Sequence, residues 1–121
     1  MAGATIIAIG GTLIVTLHDD AASTEADDLM ALVCGRIVAH AANNVVIDIA
    51  PLSMVDSYLA RTLGGLAAAG RLLGAETILA GMRPEVAIAM VELGTDLPGL
   101  RTAMNVELAM AALGPHHRPS R

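Results

Sequence analysis

A serine hydroxyl beside a short carboxylate, where a loop gives way to a helix, is the residue pair in this sequence best placed to do chemistry. The pair is Asp56 and Ser57, at the head of residues 55–65. The chemistry it suits is that of a phosphoacceptor. As a helix cap, Asp56 can accept from an amide two or three residues on, in the half-positive field of a helix start. Ser57 then opens the first turn, where amides lack intrahelical carbonyls and an added phosphate would meet donors and a favourable dipole. A phosphate would bring roughly −1.5 to −2 charges and several acceptor oxygens to the surface. A partner packed there would be released unless it carried its own cation. Arg61, one turn on, offers a different outcome, capture of the phosphate within the chain. Both outcomes stand beside a plainer reading, in which Asp56 and Ser57 only cap a helix.

Around a helical wheel at about 100° per residue, Leu59, Leu63, Leu66, Gly70 and Leu73 share one side, whereas Ser57, Arg61, Gly64 and Ala68 share the other. The leucines are expected to face the core. The opposite stripe carries a hydroxyl, a cation and two very small residues, a surface that admits close docking of another protein. Asp56, Ser57, Tyr58, Arg61, Gly64 and Ala68 are therefore the candidate partner-binding residues.

Other chemistry is thinly represented. The sequence contains no G-x-S-x-G, no G-x-x-x-x-G-K-[ST], no H-E-x-x-H and no G-x-G-x-x-G leading into a helix. A nucleophilic Ser57 would need a base within hydrogen-bond reach, and only Asp48 and Asp56 are nearby in sequence. Asp48, near the end of an apolar strand, either orders the following loop through its amides or shares a small pocket with Asp56. The loop-ordering role is the commoner one. His116 and His117 lie between prolines, His18 and His40 have no ligand at metal spacing, and neither a metal nor a cofactor is expected.

The elements that position Ser57 follow from periodicity. Residues 5–9 and 12–17 are β-branched runs joined by Gly10-Gly11, which predicts a hairpin. Asp19-Asp20 and Ser23-Thr24 supply turn and cap chemistry, and Glu25, Asp27 and Asp28 load acids into the first turn of a helix. Met30, Val33, Cys34, Ile37 and Ala41 form its expected apolar side, ended by Asn43-Asn44. Residues 45–49 read as a central strand, stopped by Ala50-Pro51 before the Ser57 helix, which runs to Leu73 and ends at Gly74. A strand over 77–80 follows. A helix then enters at Pro84, packs Val86, Met90 and Leu93, and closes at Gly94. Residues 100–104 suggest a last strand. Residues 106–113 suggest a last helix that buries Val106, Ala109, Met110 and Leu113. The alternation predicts an α/β fold: a mixed sheet of four or five strands, an opening hairpin and then mostly parallel pairing, with helices mainly on one side. Residues 1–114 read as a single domain and 115–121 as a flexible tail.

Composition narrows the function classes. The chain of 121 residues is 55% hydrophobic, but Tyr58 is its only aromatic residue and it has no lysine, so the core must be aliphatic. Net charge is −5 and the seven basic residues are scattered arginines, which gives no basic stripe or stacking platform for nucleic acid. The lone Cys34 reads as a small core hydrophobe and fits an intracellular compartment. Arg61 and Arg71 interrupt the Ala/Leu-rich stretch, so no run reaches the length of a membrane span.

Val45-Val46-Ile47-Asp48-Ile49, followed by Met54-Val55-Asp56-Ser57-Tyr58-Leu59-Ala60 and Leu63-Gly64, resembles the STAS domain of anti-sigma-factor antagonists. Gly81-Met82-Arg83-Pro84-Glu85-Val86-Ala87 and Glu92-Leu93-Gly94, with the opening hairpin, make it most similar to the single-domain RsbS type of stressosome scaffold protein, over nearly the whole chain. The resemblance implies a protein without catalytic activity, assembled with RsbR-like STAS paralogues in the cytoplasm. It also implies an RsbT-like serine kinase that is sequestered there and phosphorylates Ser57, and a PP2C-type phosphatase that resets the site. The same family admits a second mode, a free antagonist that binds an anti-sigma kinase without a large assembly. The sequence departs from the pattern in lacking lysine and in placing Tyr58 where a phenylalanine is usual.

Overall fold

A computed structural model describes residues 3–19, 26–92, 94 and 100–113. The strands are β1 (Ala4–Ile9), β2 (Thr12–Leu17), β3 (Asn44–Asp48), β4 (Glu76–Ala80) and β5 (Arg101–Ala103). The described helices are α1 (Ala26–His40), α2 (Ser57–Leu72), α3 (Pro84–Glu92) and α4 (Val106–Leu113). Side chains of residues 26 and 27, the cap residues Ser23 and Thr24, Leu93 and the tail from 114 onward lie outside the described residues.

Among the described residues the sheet has five strands, in the order β1-β2-β3-β4-β5. β1 and β2 are antiparallel, with Ile9 opposite Thr12 across a tight turn in which Gly10 takes φ +58°. The β2–β3, β3–β4 and β4–β5 pairs are parallel. Each parallel step moves in the same direction across the sheet, so right-handed crossovers must put all three connecting helices on one face. Packing agrees. Leu13, Val15 and Leu17 of β2, Val45 and Ile47 of β3, and Leu79 of β4 join α1, α2 and α3 side chains in one aliphatic core. α4 returns to the opposite face, where Ala109 and Leu113 pack on Val46, Ile78 and Ala80.

β3 is buried at four consecutive positions, Asn44 to Ile47, as a parallel strand covered on both faces must be. Leu59, Leu63, Leu66 and Gly70 of α2 are buried as the wheel predicts, and Ala60, Thr62 and Ala67 widen that face. Leu73 departs from the expectation. It is the C-cap, beyond the last full turn, and is 42% exposed. α1 ends at His40, not at the asparagines, because Ala41 takes a left-handed φ of +49° and breaks the ladder. Ala41 is therefore exposed, and Cys34 is only half-buried on the flank of α1; the buried stripe of that helix is Leu29, Val33 and Ile37.

Gly81, just after β4, takes φ +81°, and a Cβ there would lie 2.8 Å from the Ala50 Cβ and 2.9 Å from Asp48 Oδ1. Only a glycine lets the two loops meet.

Two stability outcomes follow from this packing. Leu63 has no exposed surface, so Leu63→Ala should lower unfolding free energy by about 2–5 kcal/mol in urea titrations. Gly81→Ala combines backbone strain with a clash and should cost about 1–3 kcal/mol in the same assay. A Gly81→Ala chain as stable as the parent would show that the two loops do not pack as described.

Candidate functional site

Ser57 follows the carboxyl end of β3, the end of a parallel sheet at which such folds place their working loops. The loop of residues 49–56 reaches it along a path fixed at several points. Ile49, Leu52 and Val55 point inward and are 1%, 1% and 3% exposed, so every third residue is anchored in the core. The Ile49 amide donates to the Ala80 carbonyl at 2.9 Å, and the Leu52 amide donates to the Ile49 carbonyl at 3.0 Å. Asp48 Oδ1 accepts from the Ala50 amide at 3.0 Å. That bond supports the loop-ordering reading of Asp48.

Two tethers come from far away in sequence. Asp19, just past β2, accepts from both the amide and the hydroxyl of Ser53 at 3.0 and 3.2 Å. Arg83, just before α3, donates through Nε to the Ala50 carbonyl at 3.1 Å. Neither contact was legible in the sequence, where Asp19 reads as a turn former and Arg83 only leads into the Pro84 helix. Their shared signal is position: each sits two or three residues past a parallel strand, at the same end of the sheet as Ser57.

Asp56 has extended backbone angles, φ −88° and ψ 176°, and its Oδ1 accepts from the Leu59 amide at 2.8 Å. It is the N-cap expected from sequence. The Ala60 amide donates to the Asp56 carbonyl at 2.9 Å, closing the first turn with Ser57 as the first helical residue. Ser57 is half-buried; its hydroxyl is not sealed in the core. Asp48 and Asp56 are each engaged by backbone amides, and neither is hydrogen-bonded to the Ser57 hydroxyl.

The structure brings the remaining candidates to one surface. Tyr58, Arg61 and Ala68 are exposed, and Gly64 is half-buried on the same stripe. Met54, 73% exposed, and Tyr58, 48% exposed, add apolar area on either side of the Asp56–Ser57 step. Sequence reasoning passed over Met54, although a methionine in a loop with buried residues two positions before it and one after is a legible exposed hydrophobe.

A groove of about 460 Å³ lies at the other end of the sheet, between Arg71, Glu76 and Arg101, and does not include Ser57. Among the described residues no three His, Cys, Asp or Glu side chains gather closely enough to hold a metal ion. No described helix is long and apolar enough to cross a membrane.

Comparison with known proteins adds an independent line. Residues 4–109 match the model of the STAS domain. Over 69 residues the chain is 39% identical to the RsbT co-antagonist protein RsbRA of Bacillus subtilis (strain 168), covering 57% of this chain and 25% of that protein. It is 35% identical over 68 residues to RsbRD of the same organism, covering 56% of this chain and 24% of RsbRD. The chain thus spans about a quarter of the length of these curated relatives. Among solved structures, RsbS of Moorella thermoacetica superposes with a TM-score of 0.84 at 28% identity, covering 93% of this chain and 98% of the other. A chain from the stressosome, a signal integration and transduction hub, superposes with a TM-score of 0.82 at 29% identity, covering 90% and 95%. The match to the family model extends from the first residue of β1 into α4, and the chain belongs to the STAS domain family.

Proposed function

We propose that this chain is a non-catalytic stressosome scaffold and phospho-switch, which binds an RsbT-like serine kinase and releases it when Ser57 is phosphorylated. The observation that carries the reading is the placement of Ser57. It is the first residue of α2, behind a formed Asp56 cap, on a surface shared with Tyr58, Arg61, Gly64 and Ala68. The likeness to RsbS and to the RsbT co-antagonists supports the identity of the partners.

The mechanism follows from size and charge. In the unmodified state the stripe of small residues lets a kinase surface approach the α2 backbone closely. Phosphorylation places a multiply charged group on the first turn, where helix polarity stabilises it. The docked surface then meets bulk and a charge that it must desolvate, so the complex loses affinity without any change of fold. A PP2C-type phosphatase restores the binding state. The cytoplasm is the compartment, and RsbR-like STAS paralogues are the assembly partners.

Incubation with ATP and a cognate RsbT-like kinase should place one phosphate on Ser57, read by peptide mass spectrometry. Ser57→Ala should retain the kinase in pull-downs under phosphorylating conditions. Ser57→Asp should weaken binding at least about tenfold, or about 1.4 kcal/mol. Equal affinity of the two variants, or phosphate that maps elsewhere with Ser57 untouched, would remove the switch. Light scattering of the chain mixed with an RsbR-like paralogue should reveal a particle of roughly megadalton order, far beyond any simple dimer. A monomer or small dimer in that mixture would point instead to a free antagonist that captures an anti-sigma kinase directly.

A further inference from the structure

The amino end of the sheet, away from Ser57, carries a polar side chain that the fold leaves unsatisfied. Val46 of β3 and Ile78 of β4 pair in register and pack under α4, so Asn44 and Glu76, two residues earlier on each strand, lie side by side on that same face. Arg101 stands opposite Ile78 on β5, two residues before Ala103, which packs under α4, and so shares the face. Asn44 is only 5% exposed, and its backbone amide donates to the Gly11 carbonyl at 3.1 Å, which fixes where the side chain starts. Among the described residues its side-chain Nδ2 has no acceptor. Buried donors of this kind are few in folded proteins, because the hydrogen bond given up to water is not replaced.

Asn44 borders open space as well as the core. It lines a groove of about 390 Å³ with Glu76, Arg101, Ala112 and Leu113, a volume within the range of small-molecule sites. The groove holds further donors. Arg101 donates through one terminal nitrogen to Glu76 at 3.0 Å, and its other N–H groups make no hydrogen bond among the described residues. The 460 Å³ groove adjoins this one, sharing Gly74, Glu76 and Arg101, and adds Arg71, which is exposed and pairs with no carboxylate among the described residues. On a molecule of net charge −5, the two grooves thus gather two cations against one carboxylate.

Two features restrict the guest. Ala112 and Leu113 make one wall apolar. The same wall is the last turn of α4, which has no basic residue, so the negative pole of that helix and the Glu76 carboxylate both face the groove. A phosphate dianion meets twice the repulsion that a single carboxylate does.

We propose that this groove binds a small monocarboxylate with an apolar body. Its oxygens accept from Asn44 Nδ2 and from Arg101, in the planar geometry that a guanidinium favours, and its body rests on Ala112 and Leu113. The site lies at the opposite end of the sheet from Ser57, so it stands whether or not Ser57 accepts phosphate.

The test uses the full chain, labelled with 15N, and sodium isovalerate and sodium benzoate as probes. At least one of them should move the Asn44 side-chain amide and Arg101 Nε–H resonances saturably, with a dissociation constant of about 1 mM or tighter. Inorganic phosphate should bind at least about tenfold more weakly. Asn44→Leu keeps the volume and removes the donor; it should weaken the better probe at least about tenfold while the melting temperature holds or rises. If that variant fails to fold, Arg101→Gln, at an exposed position, should show the same loss and decides the matter. No saturable shift at Asn44 with either carboxylate would overturn the proposal and leave Nδ2 to water. Phosphate binding as tightly as the carboxylates would mark an adventitious ion only, and undiminished binding by the deciding variant would equally remove the site.

Discussion

Burial of the leucine face of α2 is the constraint on which the rest of the site depends. A helix resting on a sheet can rotate about its own axis until its apolar side is hidden, and here Leu59, Leu63 and Leu66 leave one solution, with 3%, 0% and 2% of their surface exposed. Once they are buried, the residues on the far side of the wheel have no choice. Ser57, Arg61, Gly64 and Ala68 must line the outward stripe because each turn advances by the same angle. The partial exposure of Ser57 is thus a product of core packing and needs no separate device to hold it out.

Rotation alone does not decide where the helix begins. That is settled by the loop, whose Ile49, Leu52 and Val55 anchors fix its path while Asp19, Asp48 and Arg83 hold its backbone. Asp56 then takes the Leu59 amide and ends the loop. A start one residue later would lose this cap, worth about 1 kcal/mol, and would turn the serine out of the first turn. Fixing position and rotation by different interactions gives the site rigidity without a pocket. Such rigidity suits the proposed switch, in which a partner recognises the surface in one state and rejects it in the other.

Much of this was legible in the sequence because it is encoded locally. The β-branched runs around Gly10-Gly11, the cap at Asp56, the stop at Gly74 and the entry at Pro84 are patterns within a few residues, and each appears in the structure where it was expected. What was not legible is what two distant segments do together. The Asp19–Ser53 and Arg83–Ala50 contacts join residues 34 and 33 positions apart. Gly81 likewise owes its constraint to the Ala50 loop packed against it, which no pattern within a few residues announces. Leu73 and Ala41 were misread for a related reason: apolar spacing continues past the last helical turn, but the geometry that buries it does not.

The same sheet separates tasks by direction. Along the strands, the carboxyl end carries Ser57, Asp19 and Arg83, because each parallel strand exits there into the loop before its helix. Across the strands, the edges differ: β5 is short and closed by an ion pair, while β1 is long and neutral. A hairpin at the start of a parallel sheet makes this asymmetry, since its first strand needs no crossover helix of its own. The α2 stripe and the two sheet edges therefore offer their surfaces in different directions of one sheet, and only the stripe shares the Ser57 end with the loops that follow the parallel strands.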